Sequence, residues 1–274
     1  MTAAGRPFAE VIGNPIEHSL SPVIHSFWLS VIGLNGDYRR RRVARGELAD
    51  YLAERRADPD WRGCNVTMPL KLDAAALADD ASDRSVTAGA ANILVLRDGK
   101  LMAGNTDVGA VATLVGRLRE SGAGMGGITL LGSGGAARAA LVGLHLLGLT
   151  NVRIQSRDGS EATKLAVQFG LEVAPQPFDH PLEGDGLINA TPLGMTGMEP
   201  FDLPIGGLAA NGWLLDFVAA PDPTALVEQA AARGMHTLGG IDLLIEQAAE
   251  SFKLLFGADA PRDGDGELRH RLRL

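Results

Sequence analysis

Two short segments of the 274-residue chain end on side chains that can move a proton. GCNVTMPLK, residues 63–71, closes on a lysine whose neighbours are mostly apolar or small, and AGNTD, residues 103–107, closes on a carboxylate. A lysine and an aspartate that meet form a general acid–base pair. Such a pair can give up and take back a proton at a reacting group. Taken singly, Lys71 reads equally as an exposed residue in the first turn of a helix, and Asp107 as a carboxylate stabilised by a helix dipole. Ser19 and Ser21 in HSLSP add two hydroxyls that would serve equally as turn formers.

A third segment binds instead of reacting. GSGGAA, residues 132–137, fits G-x-G-x-x-A directly after the apolar run ITLL and before an alanine-rich helix. Glycines there allow a tight turn and a close backbone approach to a pyrophosphate, which then rests on unpaired helix N–H groups. The bland alternative is a helix entry that needs small residues only to sit close on a sheet. The next strand ends in QSRD, residues 155–158. Arg157 stands where a carboxylate would hold the ribose hydroxyls of NAD, and suits the added 2′-phosphate of NADP. Asp158 beside it leaves some use of NAD open.

The elements that must position these groups alternate. FAEVIG reads as a strand, VIHSFWLSVIG as a helix, and GDYRRRRV and WRGCNVT as strands flanking a helix near residues 47–57. A hairpin is expected around RDG, residues 97–99. After the helix VGAVATLVGRLRESG, the loop AGMGG marks a boundary, so a second unit should open near Ile128. It continues with the strands NVRIQS, GLINATPLG and GWLLDFV, the helix PTALVEQAAARG, and a long amphipathic helix in GGIDLLIEQAAESFKLLFG. Alternation of this kind implies an α/β fold with buried parallel strands.

Composition narrows the partners. A formal charge of −8 disfavours nucleic acid, which needs clustered cations to neutralise phosphates, and points to a small molecule. The one basic cluster, YRRRRVARG at 38–46, reads as a strand with arginines facing water, and removing these charges should leave turnover nearly intact. A single cysteine, Cys64, excludes an internal disulfide and a cysteine-rich metal site. With no signal-like start and no run long enough to cross a bilayer, a soluble cytoplasmic protein is expected, monomer or homodimer. No spacing suggests a metal. His18 and His25 read as residues that orient a loop or fill a partly buried gap, and His145 as a core or interface residue. Leu20, Phe27 and Trp28 are expected to pack a helix on its sheet.

The motifs taken together are more specific than any one of them. GNPIEHSLSPVIH, NVTMPLK, GAANIL, GNTDVGA, GSGGAAR, NATPLGM and IDLLIEQAA occur in an order and spacing that resemble the shikimate dehydrogenase family, from about Val11 to Phe252. The resemblance implies an NADP-dependent oxidoreductase of aromatic amino acid biosynthesis that interconverts 3-dehydroshikimate and shikimate. It implies an N-terminal α/β catalytic domain completed by C-terminal helices, residues 1–106 and 238–274, and a Rossmann-like domain, residues 107–237, with the reaction in the cleft between them. Lys71 and Asp107 match the acid–base pair. Ser19 and Ser21 match hydroxyls that take the substrate carboxylate, and Asn65, Thr67, Asn92 and Gln247 match ring-hydroxyl and carboxylate contacts. On the cofactor side the matching positions are Gly132, Ser133, Gly134, Gly135, Ala136, Ser156, Arg157, Thr191, Phe217 and Gly240, with Asp83 near the nicotinamide end.

Three departures stand out. Ala219 replaces a tyrosine that grips the substrate, Leu243 replaces a common methionine, and QSRD replaces NRT. The first leaves open a paralogue acting on quinate or an aminoshikimate-like ring. A non-catalytic NADP-binding sensor is the alternative from another class, and retention of both Lys71 and Asp107 argues against it.

Overall fold

FAEVIG is buried along its whole length, as a strand covered on both faces must be, and it forms the first strand of the chain. In the computed structural model, which describes residues 5–273, the chain divides into two units. One runs up to Thr106 and resumes at Ile245; the other spans Asp107–Leu244.

The first unit contains, in order, β1 (Phe8–Gly13), α1 (Ser21–Val31), β2 (Asp37–Arg42), α2 (Leu48–Arg56), β3 (Trp61–Val66), α3 (Lys71–Leu77), β4 (Asp80–Ala81), α4 (Asp83–Ala88), β5 (Ile93–Arg97) and β6 (Lys100–Gly104). Its sheet has the order β2-β1-β3-β5-β6-β4, with β1 parallel to β2 and β3, and β5 antiparallel to β3 and β6. The hairpin expected at RDG joins β5 to β6. Asp98 and Gly99 both take positive φ there, 50° and 77°, as a two-residue hairpin turn requires. One core includes Ile12, Trp61, Leu70, Leu94 and Leu101. Beneath it Glu10 is buried but compensated, accepting from Arg55 Nε and from the Tyr51 hydroxyl, each at 2.7 Å. Cys64 is free, and burial pushes its thiol pKa up, so it stays protonated and is no nucleophile.

The second unit contains α5 (Thr106–Glu120, from Asp107 on), β7 (Ile128–Leu131), α6 (Gly135–Leu146), β8 (Val152–Ser156), α7 (Gly159–Gln168), β9 (Gln176–Pro177), β10 (Gly184–Asn189), β11 (Leu208–Asp216), α8 (Ala225–Ala232) and β12 (His236–Leu238). All the pairings in its sheet, ordered β12-β11-β10-β7-β8-β9, are parallel. The α/β class expected from the alternation is therefore what the chain adopts.

The second unit starts at Asp107, the boundary that the resemblance implies, and not near Ile128 as the glycine-rich loop suggests, because α5 is amphipathic toward α6. Val108, Val111 and Val115 are fully buried, and Gly143 of α6 lets α5 come so close that a Cβ there would stand 2.8 Å from Val111 Cγ1. The chain returns to the first unit at Ile245, within α9 (Gly240–Phe256), and not at residue 238. A last helix, α10 (Asp265–Leu272), follows. Among the described residues no helix is long and apolar enough to cross a membrane.

Candidate functional site

The first unit holds a buried chain of side-chain hydrogen bonds that runs through several of the predicted residues. The Tyr38 hydroxyl donates to Asn65 Oδ1 at 2.7 Å, and Asn65 Nδ2 donates to Ser251 Oγ at 2.8 Å. Ser251 and Thr106 share a hydroxyl–hydroxyl bond of 3.1 Å, and Thr106 Oγ1 donates to Gln247 Oε1 at 3.3 Å. Asn92 closes on Thr106 twice: its Nδ2 donates to Thr106 Oγ1 at 2.9 Å and its Oδ1 accepts from Thr106 N at 2.7 Å. Each Thr and Ser hydroxyl has one proton, so Ser251 donates to Thr106 and Thr106 to Gln247, and the amide of Gln247 is held one way round. The sequence thus brings Asn65, Asn92 and Gln247 together on β3, the start of β5 and α9.

Asn65 is largely spent in this network. Besides its bonds to Tyr38 and Ser251, its Nδ2 reaches the Asn92 carbonyl at 3.4 Å, so it braces its neighbours more than it offers donors. Thr67 is half-buried past the end of β3, its N–H bonded to the Ile12 carbonyl at 2.9 Å. Gly13 makes that approach possible, since a Cβ there would lie 2.5 Å from Thr67 Cγ2.

Lys71 is the first residue of α3 and half-buried. A cation at a helix N-terminus opposes the dipole, at a cost of roughly 0.3–1 kcal/mol, so helix stability does not explain a lysine there. Asp107, in the first turn of α5 and 6% exposed, sits where the dipole favours a carboxylate. The dipeptide Ala91–Asn92 holds the backbone leading to both. Ala91 N donates to the Lys71 carbonyl at 2.8 Å, while Asn92 binds Thr106, the residue before Asp107. Ser19 and Ser21 lie at the start of α1, Ser21 as its first residue. That helix has no side-chain N-cap and no acidic residue in its first turn.

In the second unit the glycine turn has the shape its spacing predicts. Gly132 takes φ of 106°, closed to most side chains, and a Cβ there would come within 3.3 Å of the Ala190 carbonyl oxygen. Gly134 caps α6, which likewise lacks a side-chain cap and an acid in its first turn, leaving N–H groups for an anion. Ser133 and Ser156 share a hydroxyl bond of 2.8 Å that ties this turn to the end of β8. Beyond β8 opens a cavity of about 630 Å³ lined by Ser156, Arg157, Gly159, Thr163, Phe178 and Asp179, among others. Arg157 is exposed there. Asp158 is engaged elsewhere, as the N-cap of α7. Its Oδ1 accepts from Glu161 N at 3.0 Å and from Ser160 Oγ at 2.9 Å, and these bonds hold its pKa below the usual carboxylate value.

Thr191 and Phe217 follow β10 and β11, at the same strand ends as the glycine turn. Thr191 Oγ1 donates to Asn189 Oδ1 at 2.6 Å, and Phe217 N donates to the Asn189 carbonyl at 3.0 Å. Asn189 in turn donates to Asp216, which also accepts from Thr224 Oγ1 at 2.6 Å. Burial raises the Asp216 pKa despite these bonds. Gly240 begins α9, where a Cβ would lie 2.3 Å from the Val218 carbonyl, beside half-buried Ala219. Asp83 belongs to the first unit, where it is exposed in the first turn of α4.

Sequence reasoning missed Tyr38, Thr106 and Ser251 in the first unit and Asn189, Asp216 and Thr224 in the second. The available signal was a polar residue closing an apolar run, as in GLIN and WLLD, or interrupting the apolar face of the last long helix, as Ser251 does. His145 is exposed, with its ring edge-on to Phe169, and not a core residue. His18 is exposed, whereas His25 is completely buried, stacked on Tyr38 at a centroid distance of 4.0 Å. Among the described residues no three His, Cys, Asp or Glu side chains gather as a metal site.

A parallel sheet whose glycine turn opens a helix after its first strand is the Rossmann-like dinucleotide-binding arrangement, here joined to a second α/β unit carrying a buried polar network. The family model for the shikimate dehydrogenase substrate binding domain matches residues 11–94. The shikimate dehydrogenase (NADP(+)) of Sphingopyxis alaskensis is 45% identical over 265 residues, 96% of each chain. That of one Cereibacter sphaeroides strain is 38% identical, covering 94% of this chain and 95% of its own. Among solved structures, shikimate 5-dehydrogenase of Thermus thermophilus in complex with NADP(H) and shikimate superposes with a TM-score of 0.85 at 32% identity, over 97% of this chain and 99% of its own. The chain belongs to the shikimate dehydrogenase family.

Proposed function

We propose that this protein is an NADP-dependent oxidoreductase that interconverts 3-dehydroshikimate and shikimate, with substrate held by the first unit and the dinucleotide by the second. The observation that carries the chemistry is the Ala91–Asn92 dipeptide, which holds the backbone of Lys71 on one side and of Thr106, next to Asp107, on the other. The glycine turn, the uncapped start of α6 and the cavity beyond β8 fit a dinucleotide. Bound there, the reduced nicotinamide supplies a hydride to the ring carbonyl carbon. Lys71 delivers a proton to the carbonyl oxygen and stabilises charge building there, and Asp107 orients the ammonium and shares its proton. In the reverse direction the same pair accepts the hydroxyl proton. Ser19 and Ser21, at the start of α1, take the substrate carboxylate. Thr67, Asn92 and Gln247 direct hydrogen bonds to ring substituents, with Asn65 bracing them. A site built from such uncharged partners rejects a ring lacking the matching hydroxyl, because a buried polar group is then left unpaired.

The test is the rise of reduced-nicotinamide absorbance with shikimate or quinate as substrate and NADP or NAD as acceptor. Highest kcat/KM with shikimate and NADP is expected. Turnover of quinate in preference to shikimate would move the substrate and keep the reaction, with Ala219 as the first residue to suspect. Nucleotide binding without turnover of either ring would favour the sensor reading.

Arg157 should set the cofactor. Since the Asp158 carboxylate is turned into the α7 cap, Arg157→Ala is expected to raise KM for NADP about tenfold and leave KM for NAD nearly unchanged. Equal changes for both cofactors, measured by steady-state kinetics, would remove Arg157 from the 2′-phosphate site.

A further inference from the structure

All four arginines of β2 are exposed, as the sequence reading expects, but one of them also hydrogen-bonds into the serine segment. β2 is the edge strand, and its side chains alternate. Tyr38 is buried against His25 of α1, so Arg40, two positions on, shares the face turned to that helix. Because α1 connects the parallel strands β1 and β2, it runs back against them, and the later part of β2 lies beside the start of α1. There Arg40 Nε and Nη2 both donate to the Ser19 carbonyl, at 2.9 and 2.6 Å. Its neighbours are neutralised differently. Arg39 pairs with Asp37 at 2.8 Å and lies over the Phe8 ring, and Arg42 pairs with Glu47 at 3.5 Å. Among the described residues no carboxylate pairs with Arg40, so its positive charge is spent on a neutral carbonyl belonging to the serine segment itself.

We propose that Arg40 is a positioning residue for the acid group of the substrate. Its fork fixes the Ser19 backbone, and through it the two hydroxyls at the start of α1. Its uncompensated charge rests on the backbone of the serine segment, where it would attract an incoming carboxylate. This rests on the reading that Ser19 and Ser21 hold that carboxylate, and it makes recognition of the acid partly electrostatic.

The experiment compares Arg40→Ala, Arg40→Lys and Ser21→Ala in steady-state assays with shikimate, at low salt and at high salt, together with NADP affinity by fluorescence titration. Arg40→Ala is expected to raise KM for shikimate about three- to tenfold with kcat within twofold and NADP affinity unchanged. Lysine should recover part of the loss, and the ratio of variant to parent KM should shrink at high salt. An unchanged KM in Arg40→Ala, beside a raised KM in Ser21→Ala, overturns the role of Arg40 and leaves the serine site standing. An unchanged KM in Ser21→Ala removes the serine site and this inference with it. Loss of kcat or NADP affinity along with KM would mark a general structural effect and overturn the proposal.

Discussion

Lys71→Ala is expected to lower kcat by about two to four orders of magnitude while NADP still binds. The cost falls on kcat because the ammonium acts on an oxygen whose charge develops only as the carbonyl is reduced. An interaction made in the transition state and not in the ground state is lost from kcat and kcat/KM together. Cofactor affinity should be spared because Gly132, Ser156, Arg157 and Thr191 all belong to the other unit. The fold should survive as well. Removing a cation from the first position of α3 relieves an unfavourable contact with the helix dipole, so the variant should unfold no more easily than its parent. Stopped-flow measurement of the chemical step with NADP titrated separately separates these effects. Turnover within a few-fold of the parent would end the acid–base assignment. Asp107→Asn probes the same pair from the other side and should fall by a comparable factor if the carboxylate holds and shares the proton.

The second large effect is on stability in acid. His25 is fully buried among Trp28, Tyr38 and Phe252, and neither ring nitrogen has a hydrogen-bond partner among the described residues. Burial holds its pKa down at about 3, against an ordinary value near 6.5. The unfolded chain therefore binds a proton that the folded chain refuses. Above about pH 6.5 the imidazole is neutral in both states and adds no pH dependence, and stability falls progressively as the pH drops from there toward 3. The slope from this one group approaches about 1.4 kcal/mol per pH unit, or roughly 2 kcal/mol lost by pH 5. His25→Phe keeps a ring against Tyr38 and removes the titration. Urea unfolding midpoints of parent and variant between pH 4.5 and 7.5 should diverge by that slope, the parent losing more on acidification. Parallel curves would show that His25 does not carry the acid sensitivity.

Much of this was legible in the sequence, for reasons that can be named residue by residue. Strands such as ITLL and FAEVIG announced themselves because burial on both faces demands mostly apolar runs, with Glu10 and Thr129 as polar exceptions that find partners, and the glycine turn because Gly132 needs a φ that other residues avoid. Elements with weak patterns escaped. β12 is only three residues long, and α10 carries charge over most of its surface. Hidden too was everything set by pairing at long range. Ser251 meets Asn65 across 186 positions, and Tyr38 lies inside a run of arginines that draws the eye to charge. Arg40 could not be told from its neighbours in one dimension. Only alternation along an edge strand gives it a different partner.

The close seating of α5 on α6 reaches further than packing. Gly143 has room for no methyl group: a Cβ there would lie 2.8 Å from Val111 and 3.1 Å from the carbonyl oxygen of Val108. Any larger residue at 143 must push outward the very turn that bears Asp107. A position dozens of residues from the acid–base carboxylate, touching no ligand, therefore tolerates no growth. A survey of random substitutions would score it as though it were part of the chemistry.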